Sequence, residues 1–148
     1  MGEEIFVSEV LTPQLEQSLV DVFQNAFGRV FKHNFLAQLT VKKIYLAESG
    51  RAAAMVTEGF RGCAYLHKFA VTKAAQGEGL AASLWQQIIK DHPQIYWRSR
   101  ASNEINPWYF KQADASIKSS DGHWVGFSCG LYPTESVACS QQAFITDA

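Results

Sequence analysis

Apolar side chains along this chain alternate between a helical and an extended period. Leu15, Leu19, Val22, Phe23 and Ala26 recur at helical spacing, as do Leu80, Ala81, Leu84, Trp85, Ile88 and Ile89, which leave Ser83, Gln86, Gln87 and Lys90 on the opposite side. β-rich runs predict strands over 5–10, 42–48, 52–58, 64–71, 94–100 and 123–129. Thr12 is placed to cap the first helix, Pro13 fits its first position, and Gly28 fits its stop. Residues 29–40 predict a second short helix. A further short helix opens at Asn106-Pro107, with Asn106 as the capping side chain. Ser49-Gly50-Arg51 predicts a hairpin turn and Gly59 to Gly62 the next one. The stretch 133–148 holds no strong period and is expected to be a loose tail or a terminal strand.

A hairpin followed by strand, turn, helix and strand predicts a mixed α/β (α+β) sheet rather than a doubly wound one. The strand entering the turn after Val71 and the strand leaving the following helix are expected to be parallel neighbours. Ligands in such sheets favour the carboxyl ends of strands where neighbours splay, which is where that turn sits.

Composition narrows the classes. A chain of 148 residues, 47% hydrophobic and 18% charged, is expected to form a single domain, 1–148, with a core of its own. A net charge of -1 and the lack of a run of five or more Lys and Arg argue against nucleic acid or an anionic membrane as partner. The acidic N-terminus has no basic and apolar leader pattern, and Phe6 stands where a myristoylation signal needs Ser or Thr, so a soluble protein is expected. Cys63, Cys129 and Cys139 follow no framework spacing and read as buried thiols in a reducing compartment, without zinc or disulfides.

The turn Gln76-Gly77-Glu78-Gly79 carries the clearest chemistry. Two glycines at the mouth of a helix permit positive φ and close approach to the backbone, and the first-turn amides with the helix dipole suit a pyrophosphate. A tight connection alone would use the same residues. The spacing matches neither the dinucleotide fingerprint nor the nucleotide P-loop.

Within the order hairpin, strand, turn and helix, Ala74-x-x-Gly77-x-Gly79 resembles the Arg/Gln-x-x-Gly-x-Gly/Ala signature of the Gcn5-related N-acetyltransferases, with Ala in the first place. Three further runs, Tyr65 to Val71, Tyr96-Trp97-Arg98-Ser99-Arg100 and Asn103 to Lys111, are similar to the acetyltransferase domain of vertebrate-like N-acetylglutamate synthases and the bifunctional bacterial synthase/kinases, over about residues 42 to 130. His67 replaces the Asp of that family's Asp-Lys-Phe, and period-2 alternation sets it opposite Lys68, where packing rather than chemistry is expected to feel it.

The resemblance implies a GNAT-like, mostly antiparallel sheet with flanking helices and a central parallel strand pair. It also implies acetyl transfer from acetyl-CoA to L-glutamate, giving N-acetyl-L-glutamate and CoA, with no metal. Phe69, Ala70, Val71, Gln76, Gly77, Glu78, Gly79, Leu80 and Ala81 are then expected to bind the cofactor. Leu66, Lys68, Arg98, Arg100 and Asn103 are expected to bind the acceptor, and Lys68, Asn103 and Tyr109 to serve catalysis. An amino-acid-kinase domain precedes this one in the full-length enzymes; none precedes Met1, so an isolated domain without feedback control is expected, with homo-oligomerisation left open. The expected location is the cytoplasm, or the mitochondrial matrix for an animal enzyme.

Independently of the family, alternation sets Arg98 and Arg100 on one strand face, and Lys68 with Leu66 and Ala70 on another. Such cations bind a dicarboxylate well, and equally form a solvated or ion-paired sheet face. The amine's proton has three candidate acceptors, His67, His123 or a water chain to Glu58, and Cys63 lacks the partner pattern of an acyl-carrying nucleophile. The rival readings are an acetyltransferase for another small amine, a non-catalytic acetyl-CoA-binding module and a plain interaction domain.

Overall fold

The computed structural model describes residues 3–28, 40–77 and 79–145. Contacts divide the chain into one unit of residues 1–58 with 66–91 and another of 59–65 with 92–148. Across both, the secondary structure is mixed α/β, with mostly antiparallel strands and one parallel pair.

In the first unit β1 (Ile5–Ser8) pairs antiparallel with β2 (Val41–Ala47), which pairs antiparallel with β3 (Ala52–Glu58). α1 (Pro13–Phe27) starts where the sequence predicts: the Leu15 amide donates to Thr12 Oγ1 at 3.2 Å. It ends on Gly28 at φ 70°, whose amide reaches the Gln24 carbonyl at 2.8 Å. Leu15, Leu19, Val22 and Phe23 are buried on its inner stripe against Ile44, Ala53, Met55 and Ala70. β3 is buried from Ala52 through Thr57, so both of its faces are covered. The rest of the unit is β4 (Ala64–Val71) from Leu66 onward, a 3-10 turn at Lys73–Ala75, and α2 (Leu80–Asp91). The end of α2 is tied back to β2, because Tyr45 donates to Asp91 Oδ2 at 2.8 Å and Lys43 Nζ lies 3.7 Å from the same oxygen.

The second unit holds a 3-10 turn at Phe60–Gly62, the first two residues of β4, β5 (Ile95–Arg100), α3 (Asn106–Gln112), β6 (Ala115–Lys118), β7 (Trp124–Cys129) and α4 (Pro133–Ile145). β4 and β5 are parallel neighbours as expected, Ala64 opposite Ile95 and Tyr65 opposite Tyr96. β7 runs antiparallel to β5, Arg98 facing Gly126 and Arg100 facing Trp124, and β6 pairs antiparallel with β7 at the far edge. One face of β5 and β7 carries Trp97 and Phe127, stacked at 5.4 Å and covered by Tyr109 and Phe110 of α3. On the other face Tyr96 packs with Cys139 and Ala143 of α4.

Three expectations change. Residues 133–145 are a helix, not a loose tail or strand. Its buried positions are Ser136, Cys139, Ser140 and Ala143, a full helical stripe built of small residues that carry little hydrophobic signal. β6 was not anticipated, since three of its four residues are exposed. Asn106 does not cap α3 but is its first residue, after Ile105 at the cap position. The helix expected at 29–40 lies outside the described residues, apart from Thr40. Among the described residues no helix is long and apolar enough to cross a membrane.

Candidate functional site

In the first unit, β4 leads from its apolar end into the glycine turn. Leu66, Phe69 and Ala70 are buried, and Phe69 meets Trp85 of α2 edge-on at 5.7 Å, which fixes the strand against the helix that follows the turn. The 3-10 turn bends the chain through the Ala75 amide to the Thr72 carbonyl at 3.0 Å, and Gln76 Nε2 donates back to the Val71 carbonyl at 3.4 Å. Gly77 and Gly79 then adopt φ of 88° and 80°, left-handed values that a side chain disfavours. A Cβ built at either meets nothing within 4 Å, so space is open above this backbone. The Ser83 amide bonds the Gly79 carbonyl at 3.1 Å, which sets the start of α2 and leaves the preceding amides of Leu80, Ala81 and Ala82 without an acceptor inside the helix. Open space beside first-turn amides and positive-φ glycines fits an anionic diphosphate. Glu78 lies outside the described residues.

Lys68 is half-buried on the α1 side of β4, its Nζ 6.0 Å from the centre of the Phe27 ring. His67 lies on the other strand face, shared with Phe69, as alternation requires.

In the second unit, Arg98 and Arg100 project from one face of β5, and both guanidinium carbons lie over the Trp124 ring, at 4.1 and 4.4 Å from its centre. Trp124 stands directly opposite Arg100 and diagonal to Arg98, the two geometries through which cross-strand side chains meet. Arg98 is anchored further: Nη1 donates to the Ala143 carbonyl of α4 at 2.5 Å, and its guanidinium hydrogen-bonds Tyr65. Burial pushes the Tyr65 phenol up, an effect the Arg98 charge offsets only in part. Tyr96 is pushed up to about 12 by burial, although its hydroxyl accepts the Phe60 amide at 2.8 Å. Arg100 is exposed.

The two asparagines sit at the turn into α3 and in its first position. Asn103 accepts the Ile105 amide at 3.3 Å through its side chain, which shapes the turn into α3. Asn106, buried, donates from Nδ2 to the Arg100 carbonyl at 2.8 Å and to that of Ala101 at 3.4 Å, pinning α3 to the end of β5. Both asparagines line an open groove of about 600 Å³ with Phe110, Ser116 and Lys118.

Tyr109 packs on Trp97 at 5.5 Å and Phe127 at 5.4 Å, so it belongs to the sheet face opposite Arg98 and Arg100. Burial lifts its phenol far above the ordinary range, which makes it a proton-bearing donor at neutral pH rather than a base.

Leu66, Lys68, the strand end Phe69 to Val71 and the turn thus lie in one unit, and Arg98, Arg100, Asn103 and Tyr109 in the other. Within the second unit the two arginines come together, while Tyr109 does not join them. Among the partners of the arginines that the sequence reading missed are Trp124 and the Ala143 carbonyl. Strand register would have shown the first; the second depends on a helix with almost no apolar stripe.

The family model for the N-acetyltransferase of N-acetylglutamate synthase matches residues 7–145. The human mitochondrial N-acetylglutamate synthase is 39% identical over 117 residues, covering 76% of this chain and 22% of the human protein. A Xanthomonas campestris protein named acetylglutamate kinase is 35% identical over 123 residues, 80% of this chain and 28% of its own. The chain therefore spans about a quarter of the length of these curated relatives. Among solved structures, the ribosomal-protein-S18-alanine N-acetyltransferase from Escherichia coli superposes with a TM-score of 0.61 at 14% identity, over 87% of this chain and 96% of that one, which shows the acetyltransferase (GNAT) fold. By the match over residues 7–145, this chain belongs to the N-acetyltransferase family of N-acetylglutamate synthase.

Proposed function

We propose that this chain transfers the acetyl group of acetyl-CoA to the amine of L-glutamate, giving N-acetyl-L-glutamate and CoA. Acetyl-CoA supplies an activated thioester carbonyl, so the protein has to bind, orient and donate hydrogen bonds rather than form a covalent intermediate. The turn from Gln76 to Ala82 holds the diphosphate through backbone amides. Arg98 and Arg100 bind the acceptor's carboxylates, Arg98 rigidly anchored and Arg100 presenting its fork to solvent, and charge-assisted bonds of this kind contribute about 1.5–3 kcal/mol each. Tyr109 acts as a donor, because burial holds its proton on.

One observation carries the acceptor assignment: two guanidiniums share the Trp124 ring in a fixed pair. Their like charges favour a dicarboxylate and repel a polycationic amine. The family relationship supports the same choice, and the relative named for acetylglutamate kinase supports an amino-acid-kinase domain as the natural partner of this one.

The test is thiol release from acetyl-CoA across a panel of amino acids and amines. Release dependent on glutamate is expected. Release with a different amine reassigns the acceptor, and CoA binding without turnover leaves a non-catalytic module.

A further inference from the structure

Cys63 stands between the Phe60–Gly62 turn and β4, and Cys139 lies in the middle of α4. Separated by 75 residues in sequence, they are brought together by the fold: Cys63, whose thiol donates to the Ala64 carbonyl at 3.6 Å, packs against the buried cluster that holds Cys139 and offsets part of the rise that burial imposes on the Cys139 thiol. Both sit in one cluster with Tyr96, Ala143, Phe60 and Tyr65. The two thiols are unequal: Cys63 is only half-buried, whereas Cys139 is 4% exposed. Cys129, the third thiol, points elsewhere and donates to the Gln112 carbonyl at 3.4 Å.

We propose that Cys63 and Cys139 form a redox-modification site, a thiol pair that a peroxide converts to an intramolecular disulfide. The more accessible Cys63 reacts first. Its sulfur attacks the peroxide, an S–O bond forms as the O–O bond breaks, and Cys63 sulfenic acid and water (or the alcohol of an organic peroxide) result. The Cys139 sulfur then attacks the Cys63 sulfur. The S–S bond forms, the S–O bond breaks, and hydroxide leaves with the Cys139 proton as water. Two thiols are oxidised by two electrons and one peroxide is reduced.

The position gives the bond a structural consequence. Cys63 lies two residues before Tyr65, and Cys139 lies one helical turn before Ala143. Tyr65 and the Ala143 carbonyl are the two anchors of Arg98. A disulfide here fastens together the strand start and the helix that hold that guanidinium. It closes a long loop, which favours a large gain in thermal stability.

The experiment treats the purified chain with hydrogen peroxide, blocks remaining thiols with an alkylating agent, and reads digests by mass spectrometry. The expected result is a Cys63–Cys139 linked peptide lacking two hydrogens, Cys129 alkylated, reversal by dithiothreitol, and a Tm higher by ~5 °C or more in the oxidised form. In Cys139→Ser, whose fold is checked by circular dichroism, Cys63 is expected to stop at the sulfenic acid and be trapped by dimedone. The proposal is overturned if wild-type Cys63 stops at the sulfenic acid or goes on to sulfinic acid without linking, if it links to Cys129, or if the disulfide joins two chains.

Discussion

Arg98 on β5 donates from Nη1 to the carbonyl of Ala143 in the last turn of α4, at 2.5 Å. A cation at a helix C-terminus meets outward-facing carbonyls and the negative end of the dipole, so this bond both satisfies the helix end and holds the guanidinium over Trp124. Lysine keeps the charge but loses the planar fork and the stacking. Arg98→Lys is therefore expected to raise the glutamate KM by about tenfold or more, equivalent to ~1.4 kcal/mol, while the acetyl-CoA KM stays within about twofold. Steady-state kinetics with each substrate varied in turn check this. Equal movement of both constants would remove Arg98 from the acceptor site.

Gly77 needs to be glycine for its backbone and not for space, since its φ is 88° and a Cβ there touches nothing within 4 Å. Gly50, in the hairpin turn between β2 and β3, has the same property at φ 74° and serves as a matched control. Valine at either position is expected to cost about 1–2 kcal/mol of stability through left-handed strain. Only Gly77→Val is expected to weaken CoA as well, by about tenfold or more, because only there does the new side chain fill the proposed diphosphate path. Calorimetric titration with CoA and thermal melts of both variants separate strain from binding. Equal CoA affinity in the two would reduce the turn to a connection.

The parts of this molecule that could be read in its sequence are those where one residue type states one physical requirement. Thr12, Pro13 and Gly28 bracket α1 as their chemistry demands. β3 and β4 fall at 52–58 and 64–71 as predicted, because turn residues bound their apolar runs. The arginine pair followed from alternation alone, but what holds it did not. Trp124 meets both guanidiniums through a register that no local pattern encodes. α4 was hidden for a different reason: against β7 it needs small residues, so its buried stripe is Ser136, Cys139, Ser140 and Ala143 while Val137 and Ile145 face out. Asn106 was misassigned because a side chain before proline looks like a cap, whereas it turns inward to the carbonyls of Arg100 and Ala101.

That small-residue contact yields its own prediction. Gly126 on β7 faces α4 so closely that a Cβ there would lie 2.5 Å from Ser140 Oγ and 2.7 Å from Ser140 Cβ. Gly126→Ala is expected to destabilise by about 1–3 kcal/mol through overpacking. Moving the hydroxyl cannot relieve the clash, because the Ser140 Cβ itself is in the way. Ser140→Gly removes that atom and alone is expected to cost about 0.5–1 kcal/mol for glycine inside a helix. Denaturant unfolding of both single variants and the double should show a favourable coupling of about 1 kcal/mol or more in the double. Additive losses would mean that α4 shifts away from β7 rather than packing rigidly on it.

At the other end of the chain, the Glu3 carboxylate accepts the Ser49 amide at 2.5 Å and the Ser49 hydroxyl at 2.8 Å, with Arg51 Nη2 at 3.2 Å. The Ser49 amide is the largest of the influences that hold this carboxyl below its ordinary value of 4.5. A carboxyl lowered in the folded state contributes stability above its unfolded pKa and loses it as the pH falls through the folded one. Glu3→Gln is therefore expected to lower stability at neutral pH, by no more than about 1 kcal/mol since the cluster is near the surface. The gap between wild type and variant should then shrink as the pH drops below 4.5. Urea unfolding of both proteins at pH 7 and across the acid range measures it. A gap that stays constant into acid would show that Glu3 is held by the shape of the turn at Ser49 and not by its charge.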